Sequence, residues 1–271
     1  MQLSEALGLR EKELVAVVGA GGKTTIVFGL ARELAGLGKG VVVTTTTMIR
    51  EPVPEDRFEL VLSKELRAAK PRLKSLLCSG KVAILARSRV EETSPSSVVG
   101  KWPNRVGPLV KLKGIPPDWA DELRLERWVD YTIAEADGAQ GRSLKAPADH
   151  EPVMPAGTTI AVVVAGVDVV GKKLGREAVH RPERVAEILG LRLEAEVTPE
   201  AVAALLVHPE GGLKGVPLRA KVVVMLNKVE SELEASLARR IGELALLSPQ
   251  VDRVLVGAAR REPPVAEVMR R

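Results

Sequence analysis

The sequence predicts an α/β fold built on a doubly wound, mostly parallel sheet. Short apolar runs rich in valine, isoleucine and leucine recur along the chain, and segments with helical spacing separate them. Several of these runs end in glycine, threonine or acidic residues, as strands that deliver ligand-binding loops do. The length of 271 residues suits one large α/β domain, and apolar residues make up 45% of the chain.

A glycine-rich loop follows the first predicted strand, Leu14–Val18. The loop and the start of the next helix comprise Gly19, Ala20, Gly21, Gly22, Lys23, Thr24 and Thr25. Glycines let backbone N–H groups approach phosphate oxygens, and a helix N-terminus adds partial positive charge. The loop is a shortened form, because the full pattern has glycine at the position of Val17. We predict a P-loop NTPase type of sheet, with Lys23 on the β- and γ-phosphates and Thr24 on Mg²⁺.

The remaining elements alternate along the chain. Strands are predicted over 41–43, 58–62, 82–86, 128–134, 159–164, 221–226 and 253–256. Helices are predicted over 1–12, 24–37, 64–77, 118–126, 182–189, 198–207 and 263–271. Residues 87–117 show little periodicity and many prolines, glycines and serines. We therefore expect a single domain, 1–271, with a lid or insertion at 87–117.

Carboxylates and hydroxyls follow two of the predicted strands. Glu135 and Asp137 come directly after strand 128–134, where P-loop enzymes place the acidic group that holds Mg²⁺ or orients water. A simple Asp-Gly turn is the alternative. The hydroxyls of Thr44–Thr47 follow strand 41–43, at the sheet edge where α/β proteins bind ligands. They either contact metal, γ-phosphate or a second substrate, or they merely extend the strand.

The polar, proline-rich segment 141–152 carries further candidates. Arg142 and Lys145 are predicted to stabilise a transferring phosphoryl group or to bind an anionic substrate. His150 is a candidate acid, base or metal ligand, and a structural role is equally open. The sequence leaves the roles of three other side chains open: Cys78, His180 and His208.

The segment Asn227-Lys228-Val229-Glu230 is similar to the N-K-x-D element of GTPases. In those proteins the aspartate accepts hydrogen bonds from guanine, while the asparagine and lysine support the base and the loop. Glu230 is one methylene longer than aspartate but still accepts two hydrogen bonds. We predict that Asn227, Lys228 and Glu230 bind the nucleotide, with a structural loop as the alternative. The short phosphate loop favours ATP and this segment favours GTP, so both stay open.

The composition narrows the classes of partner. The net charge is +5 and the isoelectric point is near 9.4, yet no dense basic run with interleaved aromatics indicates nucleic-acid binding. Without a signal peptide or an apolar stretch of ~18 residues, we expect no membrane partner. Cys78 is the one cysteine, which excludes an internal disulfide and favours a reduced, cytoplasmic location.

Several longer runs resemble a single family. They are GAGGKTT from Gly19, VVVTTTT from Val41, EADGAQGRSLKAPADHEPVMP from Glu135, VHRPERVAEILG from Val179, VTPEAVAALLVHPEGGLKG from Val197 and LNKVE from Leu226. The chain thereby resembles the YqeC-type selenium cofactor biosynthesis proteins, also described as accessory proteins of selenium-dependent molybdenum hydroxylases. The family pattern favours aspartate at the position of Glu230. The resemblance implies an NTP-binding protein whose partner is a molybdenum hydroxylase or a selenium-donor protein.

Three functional hypotheses remain at this point. The first is a Mg-NTP-binding P-loop protein, an NTPase that uses ATP or GTP and assists the biosynthesis or insertion of a selenium cofactor. The second is an ATP-dependent ligase or kinase that acts on a small anionic acceptor. The third is a nucleotide-gated chaperone or metallocofactor carrier with slow hydrolysis, which must bind its client differently in its two nucleotide states.

Overall fold

The computed structural model describes residues 1–52, 57–91 and 110–271. Its strands are β1 (Glu13–Gly19), β2 (Val41–Thr45), β3 (Met48–Arg50), β4 (Phe58–Leu62), β5 (Val82–Ala86), β6 (Ser88–Glu91), β7 (Val110–Lys113), β8 (Tyr131–Glu135), β9 (Leu144–Lys145), β10 (Ile160–Gly166), β11 (Val179–His180), β12 (Lys221–Asn227), β13 (Val251–Gly257) and β14 (Val265–Met269). Its helices are α1 (Leu3–Leu7), α2 (Lys23–Gly36), α3 (Leu66–Cys78), α4 (Pro117–Leu125), α5 (Pro182–Leu189), α6 (Pro199–Leu206) and α7 (Glu232–Ala245).

A nine-stranded sheet forms the centre of the described chain, in the order β14-β13-β12-β10-β1-β8-β2-β5-β4. Eight of the nine strands run parallel to one another. The ninth, β14, pairs antiparallel with β13 at one lateral edge. Two small sheets, β11-β9 and β3-β7-β6, accompany it. The predicted α/β class with a mostly parallel sheet is confirmed, and the architecture is consistent with a P-loop NTPase-like fold.

Helices cover both faces of the large sheet. Val15 and Val17 of β1 belong to the buried cluster that also contains α1 and α2. Leu14 and Val18 point to the opposite face, where the clusters contain α3 and α4, or α5, α6 and α7. Burial on both faces explains why β1 is a continuous apolar run, as expected for a central parallel strand.

The carboxyl ends of β1, β8, β10 and β12 lie side by side. The register pairs Val17 of β1 with Glu135 of β8, and Gly166 of β10 with Asn227 of β12. Neighbouring strands therefore deliver three predicted features to the carboxyl-terminal edge of the sheet: the glycine loop, the two carboxylates and the N-K-x-E segment. Ligands of open α/β sheets bind at this edge, beside the point where the strand order reverses.

The chain end differs from prediction, because residues 263–271 contain β14 and not a helix. Val265–Met269 pairs with the exposed edge of β13, and those strand contacts override the nine-residue predicted helix, which would be marginal alone. The predicted helix over 1–12 is limited to Leu3–Leu7. The central part of the predicted lid, 92–109, lies outside the described residues, and β6 and β7 beside it pair antiparallel.

Among the described residues, none of the helices combines the length and the apolar character that a bilayer crossing requires.

Candidate functional site

The glycine loop between β1 and α2 is packed tightly beneath its neighbours. Gly19 has φ +94°, and a Cβ there would lie 2.3 Å from the carbonyl oxygen of Val164. Gly22 has φ +124°, and a Cβ there would lie 2.2 Å from Asn227 Nδ2. Both positions therefore require glycine, because a residue with a Cβ would be strained at this positive φ and would clash with the neighbouring atom.

The free N–H groups of the loop lie at the start of α2. Earlier in the loop, the N–H groups of Ala20 and Gly21 are not free, because they donate to the carbonyl oxygens of Val164 and Arg142 at 2.9 and 2.8 Å. Within the described ranges, no hydrogen-bond acceptor meets the backbone N–H groups of residues 22–25, which include Thr24 and Thr25. Together with the helix dipole, four such donors form a site for an anion.

Lys23 is buried between two carboxylates. Its Nζ donates to the carbonyl oxygen of Gly19 at 2.7 Å and lies 3.2 Å from Asp137 Oδ1 and 3.8 Å from Glu135 Oε1. Burial disfavours its charged form, but the two carboxylates outweigh burial and raise the pKa of Lys23. Burial raises the pKa of Glu135, although Lys23 and Thr24 oppose that shift. The ammonium group thus compensates buried negative charge in this state.

Thr24 lies beside carboxylate oxygens of the type that coordinate Mg²⁺ in proteins. The Thr24 hydroxyl donates to Glu135 Oε2 at 2.9 Å, so the predicted metal ligands from α2 and β8 lie together. Asp137 Oδ1 is buried and accepts no well-formed hydrogen bond. In the part of the chain that the structure describes, no group of three His, Cys, Asp or Glu side chains could hold a metal. A Mg²⁺ site needs fewer protein ligands than that, because this ion keeps water and phosphate oxygens as its other ligands.

Lys145 is buried in a second ion network. Its Nζ lies 3.0 Å from Asp137 Oδ2, 2.8 Å from Glu151 Oε2 and 2.7 Å from the carbonyl oxygen of Gly138. Arg181 Nη1 also binds Glu151 Oε2, at 2.7 Å. Lys145, predicted to bind a transferring phosphoryl group or an anionic substrate, is thus paired with Asp137 and Glu151 in this structure.

Sequence reasoning missed Glu151 and Arg181. Glu151 is buried, whereas its neighbour His150 is exposed. The one available signal was the position of Glu151 in a polar, proline-rich segment directly after the predicted carboxylates.

Arg142 lies beside the loop with an uncommitted side chain. Its carbonyl oxygen accepts the hydrogen bond from Gly21, which fixes the backbone next to the glycines. Arg142 is half-buried, and no carboxylate within the described part of the chain forms an ion pair with its guanidinium. The two cations predicted in segment 141–152 thus differ, because Lys145 is ion-paired with Asp137 and Glu151.

The three histidines and the cysteine do not gather at the site. His208 Nδ1 accepts a hydrogen bond from the backbone of Glu210. His180 is half-buried, and burial together with the charges of Arg181 and Lys145 lowers its pKa to about 4. Cys78 is exposed at the end of α3.

Asn227 joins the glycine loop to the loop after β13. Its Nδ2 donates to the carbonyl oxygen of Gly21 at 2.7 Å, and its Oδ1 accepts from the N–H of Ala259 at 2.8 Å. Lys228 contacts Ser143 Oγ at 2.7 Å and Asp168 Oδ2 at 3.2 Å. The structure therefore brings Asn227 to the predicted loop and ties Lys228 to Asp168, a residue that the sequence did not single out.

Glu230 is exposed two residues beyond Lys228, and its backbone N–H donates to Glu234.

The threonine run divides into two pairs. Thr44 and Thr45 donate their hydroxyls to the carbonyl oxygens of Leu85 and Glu135, both at 2.8 Å, and so stabilise the strand ends. The hydroxyls of Thr46 and Thr47 are buried and have no hydrogen-bond partner within the described segments. An unsatisfied buried hydroxyl is unfavourable, so this second pair has capacity for a ligand or water.

Comparison with known proteins identifies the family. A model described as "YqeC protein" matches residues 15–183, which include the glycine loop, both carboxylates and the Lys145 network. The chain belongs to the YqeC family. A YqeC relative from Escherichia coli (strain K12), described as "Uncharacterized protein YqeC", is 31% identical over 254 residues, or 93% of this chain and 90% of the relative. No solved structure matches this YqeC-family chain.

Proposed function

We propose that this chain is a P-loop protein that binds Mg-NTP and hydrolyses it. The observation that carries the proposal is the group of free N–H donors at residues 22–25, at the start of α2. Such donors, with the helix dipole, favour a phosphate group. The Thr24 hydroxyl and the Glu135 carboxylate, 2.9 Å apart, offer the oxygen ligands that Mg²⁺ prefers.

Lys23 is the proposed phosphate-binding cation. Without nucleotide its ammonium group neutralises Glu135 and Asp137, and with nucleotide it would turn to the β- and γ-phosphates. The two carboxylates would otherwise repel the phosphates, so binding is expected to depend on Mg²⁺, which supplies the compensating charge. Arg142 would stabilise charge on the transferring phosphoryl group, and Glu135 or Asp137 would orient water.

The base-binding residues in this proposal are Asn227, Lys228 and Glu230. Asn227 connects the phosphate loop with the loop after β13, as expected for a residue that couples base and phosphate binding. The exposed carboxylate of Glu230 would accept hydrogen bonds from guanine N1 and N2, whereas adenine offers no such pair of donors at those positions. ATP and GTP are both candidates, and direct comparison decides between them.

Equilibrium titration with fluorescent ATP and GTP analogues, with Mg²⁺ and with EDTA, tests the proposal. Thr24→Val should lose most of the Mg²⁺-dependent gain in affinity, because it removes the hydroxyl that faces Glu135. Thr44→Val is the matched control, since its hydroxyl donates to the Leu85 carbonyl oxygen. Phosphate release is measured on the same samples. Unchanged binding and turnover in Thr24→Val would sink the assignment of this loop.

A second candidate is phosphoryl transfer to a small anionic acceptor. The free hydroxyls of Thr46 and Thr47 favour it, because they follow the strand next to Glu135 and have hydrogen-bonding capacity to offer. In that case NTP turnover is negligible alone and rises when an acceptor is added. Thr46→Val combined with Thr47→Val should then abolish the stimulation and leave nucleotide affinity intact.

Membership of the YqeC family suggests a selenium-related accessory role for this nucleotide site. We propose a selenium-dependent molybdenum hydroxylase or a selenium-donor protein as the partner. The test is a pull-down of the hydroxylase apoprotein with this chain, with and without a non-hydrolysable NTP. Capture in one nucleotide state only supports a nucleotide-gated role, because a switch requires different affinities in its two states.

A further inference from the structure

Lys145 joins Asp137 to Glu151, and each of its three N–H donors has an acceptor. An ammonium group has three N–H donors, and three acceptors lie within 3.0 Å of Lys145 Nζ. The side chain is 1% exposed, so no water replaces a lost partner at low cost. Any change in the Glu151 carboxylate must therefore alter how Lys145 binds Asp137.

Glu151 is itself held rigidly. Arg181 Nη1 and Lys145 Nζ both bind its Oε2, at 2.7 and 2.8 Å, and the N–H of Ala148 donates to the same oxygen at 3.3 Å. Burial disfavours the Glu151 carboxylate, but these hydrogen bonds prevail and lower its pKa to about 2. The lowered pKa favours the ionised form of Glu151.

The backbone aligns the two cations on this anion. Strand β9 pairs in parallel with β11, and the register places Lys145 opposite His180. Arg181 follows His180 directly and has φ +61°, a conformation that is unfavourable for arginine. Its Nη1 also donates to the carbonyl oxygen of Ala146 at 3.3 Å. The strained turn directs the guanidinium back to Glu151.

Asp137 depends on this arrangement for its orientation. Its Oδ2 accepts from the N–H of Gly19 and from Lys145, both at 3.0 Å. Its other oxygen, Oδ1, faces Lys23 at the start of α2. The network therefore decides which carboxylate oxygen of Asp137 faces the phosphate loop.

We propose that Glu151 is a positioning residue that acts through Lys145 to hold Asp137 for Mg²⁺ at the nucleotide site. The proposal rests on the proposed Mg-NTP function. Without the Glu151 charge, Lys145 is compensated by Asp137 alone and competes with the metal for that carboxylate. Outer contacts of this kind typically change metal affinity by about 10- to 100-fold.

The test compares nucleotide affinity in Mg²⁺ with nucleotide affinity in EDTA, using a fluorescent NTP analogue. Glu151→Gln should reduce the gain from Mg²⁺ at least about tenfold and leave affinity in EDTA within about twofold of wild type. Glu200→Gln, which removes an exposed carboxylate paired with Arg240, is the matched control and should behave as wild type. If Glu151→Gln does not fold, Glu151→Asp carries the test, because it keeps the charge but withdraws it from Lys145.

A double-mutant cycle separates positioning from a general structural role. In a Lys145→Met background, replacement of Glu151 should no longer change the Mg²⁺ gain, because its effect passes through Lys145. A folded Glu151 variant with an unchanged gain overturns the inference. A wild-type chain that binds no nucleotide overturns the proposed function itself, so the two failures are distinguishable.

Discussion

Lys23 Nζ lies 3.2 Å from Asp137 Oδ1 in a position that is almost closed to solvent. The phosphate-loop lysine and a candidate metal ligand thus neutralise each other before any ligand binds. On the proposed function, nucleotide binding would be an exchange of partners, because the same ammonium group cannot satisfy Asp137 and a phosphate equally. We therefore expect Lys23 to have two separable roles, in stability and in binding.

Lys23→Ala is predicted to destabilise the fold as well as to abolish NTP binding. It leaves Glu135 and Asp137 buried without their shared cation, and breaking a buried ion pair costs about 3 to 5 kcal/mol. Urea denaturation measures the loss. Lys70→Ala is the control, because Lys70 pairs with Glu122 and Glu126 at the surface, where such a pair contributes at most about 1 kcal/mol. If the two substitutions lowered the free energy of unfolding equally, Lys23 would not be the shared cation of two buried carboxylates.

Gly22, directly before α2, and Gly29, inside α2, provide a matched pair of substitutions. Gly22→Ala places a Cβ 2.2 Å from Asn227 Nδ2 at φ +124°, and it should cost more than about 1 kcal/mol of unfolding free energy and weaken nucleotide binding. Gly29→Ala meets only Leu3 Cδ1 at 3.6 Å inside α2, and it should stabilise the chain by up to about 1 kcal/mol. A neutral Gly22→Ala would show that the loop rearranges freely.

His180 is predicted to make stability pH-dependent in mildly acidic solution. Burial and the charges of Arg181 and Lys145 lower its pKa from 6.5 to about 4, so the unfolded chain binds a proton more readily in this range. The free energy of unfolding should therefore be highest above pH 6.5 and fall as the pH drops toward about 4. Denaturation at several pH values should show a flatter profile for His180→Gln. His150→Gln, at an exposed position, should keep the wild-type profile.

The positions of the glycine loop and of the two carboxylates were predictable because they follow local rules. Apolar runs that end in glycine or acidic residues identify parallel strands, and neighbouring strand ends bring Thr24 close to Glu135. Lys145 could not be placed in this way. Its burial depends on the two-residue pairing of β9 with β11, which joins segments more than thirty residues apart and has no periodic signal.

The C-terminal segment was predicted to be a helix but contains a strand, β14. Val265, Val268 and Met269 have helical spacing, yet the segment is short and lies against the free edge of β13, so tertiary contacts decide its structure. Glu151 was equally hard to assign, because an acidic residue in a polar segment is usually solvated. Its burial follows from Arg181, which reaches it from the start of α5.

Thermal unfolding with Mg-ATP and with Mg-GTP tests the central claim most directly, with Thr24→Val as the control. A nucleotide at about 100 times its dissociation constant should add roughly 2.7 kcal/mol to the stability of the wild-type chain, and the increase should shrink in the variant. A shift with GTP alone assigns Glu230 to guanine, and a shift with ATP alone makes that segment structural. If neither nucleotide raises the unfolding temperature at any concentration, the loop at Gly19–Thr25 is not a nucleotide site.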